Sequence, residues 1–170
     1  MFPTIEGTRV RLREFAERDL SEFARYRAHP GVARYQSWDG YTLEDAKRLY
    51  AMQLATRFGT LGSWHQLAIA DKASDALMGD CALHFRGEEE LEIGFTLAPE
   101  RQGQGLAREA VELLLSHMQQ PRVIAVTDTG NVAAQKLLMN LGFCRELERA
   151  VVFKGKPGSE RLFAIDRRIK

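Results

Sequence analysis

The run from Glu90 to Val126 limits the fold more than any other part of the chain. Leu91, Ile93, Phe95 and Leu97 alternate with Glu90, Glu92, Gly94 and Thr96, which is the period of a strand with one apolar face. Pro99 breaks that pattern. Gln102-Gly103-Gln104-Gly105 then leads into a segment where Leu106, Ala110, Leu113 and Leu114 recur at helical spacing, with Arg108, Glu109 and Glu112 outside. Val123–Val126 reads as the next strand. Strand, glycine-rich turn, helix and strand make a βαβ crossover, which sets the two strands parallel in one sheet. The second face of the first strand needs a further explanation, because it carries carboxylates.

The flanking segments supply antiparallel partners. Arg9–Arg13 alternates as an opening strand, and Leu20, Phe23, Ala24 and Ala28 mark a helix that His29-Pro30-Gly31 stops. Thr42-Leu43-Glu44-Asp45 reads as a capping box. It opens a helix that buries Leu43, Ala46, Tyr50 and Leu54 and ends at Gly59 and Gly62. Trp64–Ala70, Ala76–Phe85 and Glu90–Leu97, joined by short turn-prone stretches, form an antiparallel meander. After the crossover, a helix capped by Asn131 buries Ala134, Leu137, Leu138 and Leu141 and stops at Gly142. Phe143–Phe153 and Arg161–Ile169 pair across Lys154–Gly158. The expectation is one α/β domain over residues 1–170, with a central mixed, mostly antiparallel sheet flanked by helices.

Charge and composition exclude several function classes. Twenty-four basic against twenty-three acidic residues leave a net charge of +1 in 170 residues. No global field therefore favours nucleic acid or an anionic membrane, and an anionic ligand must be held locally. The apolar run Ala110–Leu115 is broken by Glu112, far short of a spanning helix. The start carries no export pattern, so the cytoplasm is the expected compartment. Cys81 and Cys144 lack metal-ligand spacing and read as buried small hydrophobes. His29, His65, His84 and His117 have no spacing that assembles a metal site, so none is expected.

The glycine-rich turn bears the chemistry. It exposes backbone N–H groups at the positive end of a helix, a ready site for phosphate oxygens. Gly103 and Gly105 let the backbone come close to a ligand, and Gln102 and Gln104 add donors without charge. A tight connection with no ligand is the plain alternative. Dinucleotide binding is another, since Asp128 stands at the distance of a ribose partner. Against it, Arg108 occupies the third glycine position and no second βαβ unit follows. A Walker loop is excluded because no Gly-Lys-Ser/Thr follows the glycines.

Three segments in order, Leu91–Leu97, Gln102–Ala107 and Asn131 through Lys136 to Leu141-Gly142-Phe143, resemble the GNAT superfamily of acetyl-CoA-dependent N-acetyltransferases. With Thr8–Arg13 they look most like the branch that contains ribosomal-protein N-terminal (alanine) acetyltransferases. The resemblance runs from about Arg9 to Ile165, and the signature Gln/Arg-x-x-Gly-x-Gly/Ala falls on Gln102, Gly105 and Ala107. It implies that the amides of Gln102, Gly103, Gln104, Gly105, Leu106 and Ala107 hold the CoA diphosphate. Phe95, Thr96 and Leu97 would pair with pantetheine, and Asn131 and Lys136 would meet the cofactor arm.

Acetyl transfer to an amine needs a base, an oxyanion donor and an exit for the thiolate. Glu92 is the candidate base, supported by the resemblance, and His84 is a second. A backbone N–H near Phe95 or Thr96 would serve the oxyanion. Leu138 stands where many family members carry a tyrosine acid, leaving Tyr26, Tyr35, Tyr41 or water to protonate the thiolate. The chain is thus expected to acetylate a primary amine, either a protein N-terminus or a small molecule, by direct attack in a ternary complex. A catalytically impaired CoA-binding module and a dinucleotide-binding protein are the alternatives. If the chain assembles, a homodimer is the commonest outcome.

Overall fold

The computed structural model describes residues 1–168, so Ile169, the expected end of the last strand, lies outside the described residues. Its strands are β1 (Ile5–Glu6), β2 (Val10–Glu14), β3 (Trp64–Asp71), β4 (Leu77–Phe85), β5 (Glu90–Leu97), β6 (Arg122–Asp128), β7 (Cys144–Phe153) and β8 (Lys156–Asp166). They form one sheet in the order β1-β2-β3-β4-β5-β6-β8-β7. Among the described residues, only β5 and β6 pair in parallel, as the crossover requires. The helices are α1 (Leu20–Ala28), α2 (Pro30–Ala33), α3 (Leu43–Leu54), α4 (Leu106–His117) and α5 (Val132–Asn140).

Each face of the sheet has its own core. On one, Cys81, Leu83, Leu91 and Ile93 pack with Leu106, Ala110, Val111 and Leu114 of α4 and Leu138 of α5. On the other, Phe15, Phe23, Tyr26 and Ala46 of α1, α3 and the preceding loop cover Ala68 and Leu77. Alternation on β4 and β5 therefore turns Asp80, Ala82 and His84, with Glu92, Gly94 and Thr96 across from them, to the α1 side. No helix among the described residues is long and apolar enough to cross a membrane.

The Thr42 capping box forms as expected, with Asp45 closing it. The buried stripe of α3 differs from the expected one. Leu43 and Leu54 are exposed at 39% and 70%, while Ala46 is buried and Leu49 and Tyr50 pack on the core. Gln53 fixes this rotation by bonding both backbone groups of Gln66 on β3, at 2.9 and 2.8 Å. The helix stops at Leu54, before the glycines, because Phe58 is drawn into rings from Phe2, His65 and Phe85.

Other differences are local. The first helix ends at Ala28, where His29-Pro30-Gly31 was expected to stop it, and the addition is a one-turn helix α2 that His29 caps and Pro30 starts. The last hairpin is tighter than expected, with β8 opening at Lys156. Lys154 (φ 50°) and Gly155 (φ 76°) form a two-residue turn whose twist suits antiparallel strands. Cys81 is buried, but Cys144 is exposed because it opens the outermost strand of the sheet.

Gly79 is required by close approach. A Cβ there would lie 2.2 Å from the Thr96 carbonyl and 2.8 Å from a Leu97 methyl. Gly79→Ala is therefore expected to cost about 1–3 kcal/mol in urea denaturation. Gly87→Ala, where a Cβ meets open space, should change stability by less than about 0.5 kcal/mol. Equal effects would contradict the packing argument.

Candidate active site

β5 and β6 pair over three rows, Glu90 with Arg122, Leu91 with Val123 and Glu92 with Ile124, and then part. The inner edge of β5 from Ile93 to Leu97 is left without a strand partner. A cleft of about 440 Å³ opens there, within the range of small-ligand sites. Its floor is Phe95, Thr96 and Leu97. Its near wall is the loop after β5, with Gln102, Gly103, Gly105, Leu106, Ala107 and Arg108, and its far wall is Asn131, Ala133, Ala134 and Leu137.

The loop is shaped by two left-handed glycines, Gly103 (φ 74°) and Gly105 (φ 77°), the second standing as the N-cap of α4. Gln102 Nε2 donates to the Leu97 carbonyl at 3.2 Å, which ties the loop to the end of β5. Gly31, Val32, Tyr35 and Gln36 form the roof. The Tyr35 hydroxyl donates to the Gly130 carbonyl at 3.1 Å, and Gln36 Nε2 reaches Thr96 Oγ1 at 3.4 Å. The roof is thus fastened to the floor and beside the far wall.

Of the eleven residues assigned to the cofactor and the candidate base Glu92, the structure gathers nine at this cleft and leaves three outside its lining. Phe95, Thr96, Leu97, Gln102, Gly103, Gly105, Leu106, Ala107 and Asn131 line it. Asn131 also caps α5, accepting from the Ala134 N–H at 3.3 Å. Gln104 turns away, its Nε2 donating to the Glu100 carbonyl at 3.0 Å. Lys136 is on the exposed side of α5. Glu92 lies on the α1 side of β5, at the last paired row before the strands part. There it meets His84, Nδ1 to Oε2 at 3.2 Å, and Arg86 Nη1 at 3.3 Å. His84 in turn stacks on Trp64 at 4.5 Å and 13°.

The tyrosines separate by environment. Tyr26 is fully buried and bonded to Asp80, Tyr41 packs against Phe23 and Trp38, and Tyr35 lines the cleft. Leu138 is wholly buried. Gln36 went unnoticed in the sequence because its only signal is a contact sixty residues away. Among the described residues, no three His, Cys, Asp or Glu converge as a metal site would require.

A buried polar cluster lies beneath the roof. Asp80, paired in register with Thr96, accepts from the Tyr26 hydroxyl and from Arg27 Nη2 at 3.3 Å. The Arg27 guanidinium stacks on Phe23 and Trp38 at 4.2 and 4.0 Å. Burial pushes the Asp80 carboxyl up, against the opposing pull of Arg27 and the tyrosine hydroxyl. Burial likewise pushes the Tyr26 phenol well up.

Comparison with known proteins gives a consistent picture. The sequence model of the acetyltransferase (GNAT) domain matches residues 9–144. The uncharacterized N-acetyltransferase YoaA of Bacillus subtilis is 25% identical over 177 residues, covering 97% of each chain. The ribosomal-protein-S5-alanine acetyltransferase of Vibrio fischeri superposes with a TM-score of 0.84 at 19% identity, covering 99% of this chain and 98% of that one. The spermidine N-acetyltransferase of Vibrio cholerae, solved with CoA and spermine, gives 0.80 at 18% identity, covering 94% and 96%.

The Asp80 environment has a pH signature. A carboxyl raised on folding stabilises the fold most below its unfolded pKa, near ~3.9, and that contribution is lost as pH rises through its folded value. Wild type should therefore lose stability relative to Asp80→Asn as pH rises from about 4, and then level off. A pH-independent difference in urea midpoints, or one of opposite slope, would contradict this.

Proposed function

Because the chain belongs to the acetyltransferase (GNAT) family and is an acyltransferase, we propose that it moves an acetyl group from acetyl-CoA to a primary amine by direct attack in a ternary complex. The observation that carries this reading is the parting of β5 and β6 beside a glycine turn at a helix N-terminus. The cleft fits the cofactor in kind. Free strand-edge amides suit the amides of pantetheine, and left-handed glycines with the α4 terminus suit a diphosphate.

In this reading the amides of the Gln102–Ala107 loop hold the diphosphate, the Phe95–Leu97 edge pairs with pantetheine, and Asn131 meets the arm from the far wall. Acetyl-CoA supplies a thioester whose carbonyl an amine attacks. An alkyl amine, with a pKa near ~10, is mostly an ammonium at neutral pH. Glu92, at the fork where the strands part, draws off its proton, and His84 holds that carboxylate in place. With Leu138 buried, Tyr35 is the tyrosine at the cleft that returns a proton to the leaving thiolate. The acceptor is a protein N-terminus or a small amine, entering from the α1 side that carries Glu92 and Thr96. The two structural neighbours act on acceptors of these two different kinds. The buried Leu138 also supports a second reading, a CoA-binding module with impaired catalysis. The single parallel pair among the described residues speaks against a dinucleotide site.

Calorimetry with acetyl-CoA, with NADH as control, tests the cofactor, and thiol release over a panel of N-terminal peptides and polyamines tests the reaction. Saturable acetyl-CoA binding with thiol release is expected; binding without release for any amine would favour the impaired module, and no binding would overturn both. Gly105→Val, which strains a left-handed position and sets a side chain toward Arg9, should weaken CoA binding by about tenfold or more. Glu92→Gln should lower kcat by about a hundredfold with little change in CoA affinity. An unchanged kcat would remove Glu92 from its role.

A further inference from the structure

The shape of the diphosphate loop is set partly from outside it. Its Gln104 carbonyl accepts a hydrogen bond from Arg9 Nη1 at 2.8 Å, across 95 residues of sequence. A trans peptide keeps its C=O and following N–H on opposite sides. Pinning the Gln104 carbonyl to Arg9 therefore fixes the direction of the Gly105 N–H. Gly105 lines the cleft, and a Cβ on it would stand 3.3 Å from the Arg9 guanidinium.

Arg9 is itself held by the helix that the loop begins. Glu109, in the first turn of α4, accepts the Thr8 and Arg9 backbone N–H groups on Oε1 at 3.0 and 2.9 Å. Its other oxygen, Oε2, is buried without a hydrogen-bond partner, and Arg9 Nε stands 3.6 Å from it. A bare carboxylate one turn inside a helix N-terminus would repel an anion bound there. The Arg9 guanidinium, half exposed on its outer side, offsets that charge.

We propose that Arg9 is a positioning residue for the CoA diphosphate: it orients the Gln104–Gly105 peptide and masks the Glu109 carboxylate, so that the loop presents its N–H groups without a competing negative charge. This rests on the assignment of CoA to the cleft. Arg9 and Glu109 both lie outside the glycine motif, Arg9 immediately ahead of β2.

The test is calorimetry of Arg9→Gln, and of Arg9→Gln combined with Glu109→Gln, against CoA and 3′-dephospho-CoA. The single variant is expected to bind both ligands about tenfold more weakly, by equal factors, because both carry the diphosphate. The double variant should recover at least half of that loss on a logarithmic scale, since glutamine at position 109 still accepts the two backbone N–H groups. Unchanged affinity of the single variant would overturn the proposal. A loss confined to CoA would assign Arg9 to the 3′-phosphate instead, and a double variant as weak as the single would overturn the masking of Glu109. Wild-type protein that binds neither ligand would instead overturn the cleft assignment itself and this proposal with it.

Discussion

Two parallel strands that pair for three rows and then part impose a demand on everything around them. The backbone groups along their diverging inner edges lose the ladder partners they would otherwise have, and buried groups of that kind must be matched. Gln102 answers part of this demand by returning to bond the Leu97 carbonyl. Around it, the side chain of Asn131 caps the helix on the far wall and Gln36 reaches the Thr96 hydroxyl from the roof. Gly79 lets β4 press close behind Thr96 and Leu97, which keeps the outer edge of β5 fully paired. What remains unmatched is a short row of amides facing a cleft.

Electrostatics at this site is local, as a chain of nearly zero net charge requires. Two carboxylates close to the cleft are handled differently. Asp80 is sealed under α1, with Tyr26 and a guanidinium held among aromatic rings. Glu92 sits among His84, Arg86 and Trp64 at the fork of the strands. The first arrangement anchors α1 and the roof to the strand beside Thr96, whereas the second leaves a carboxylate within reach of a proton.

The sequence made legible whatever depends on residues close together. The crossover, the capping box at Thr42, the alternation of β5 and the N-cap at Asn131 are all set within a few positions, and the structure contains them. The stripe that α3 buries was not legible, because its rotation follows from Gln53 grasping β3 rather than from its own leucines. The early end of α3 depends in the same way on Phe58 joining a ring cluster assembled from three other segments. At the candidate site, the loop and strand edge could be named one residue at a time. The Tyr35 roof contact and the meeting of Glu92 with His84 could not, because they exist only once distant segments are side by side.

The two margins of the sheet carry a consequence of their own. An open sheet offers unpaired strand edges on which another chain can grow, and the danger rises with the length and flatness of the edge. Here β1 is only two residues long. The opposite margin, β7, is ten residues long, but it is bent by a bulge between Arg145 and Leu147 and studded with Arg145, Glu146, Glu148 and Arg149. A short strip on one side and a kinked, charged one on the other give a stray strand little to zip onto. The sheet can therefore remain open at its centre for a ligand while resisting aggregation at its rims.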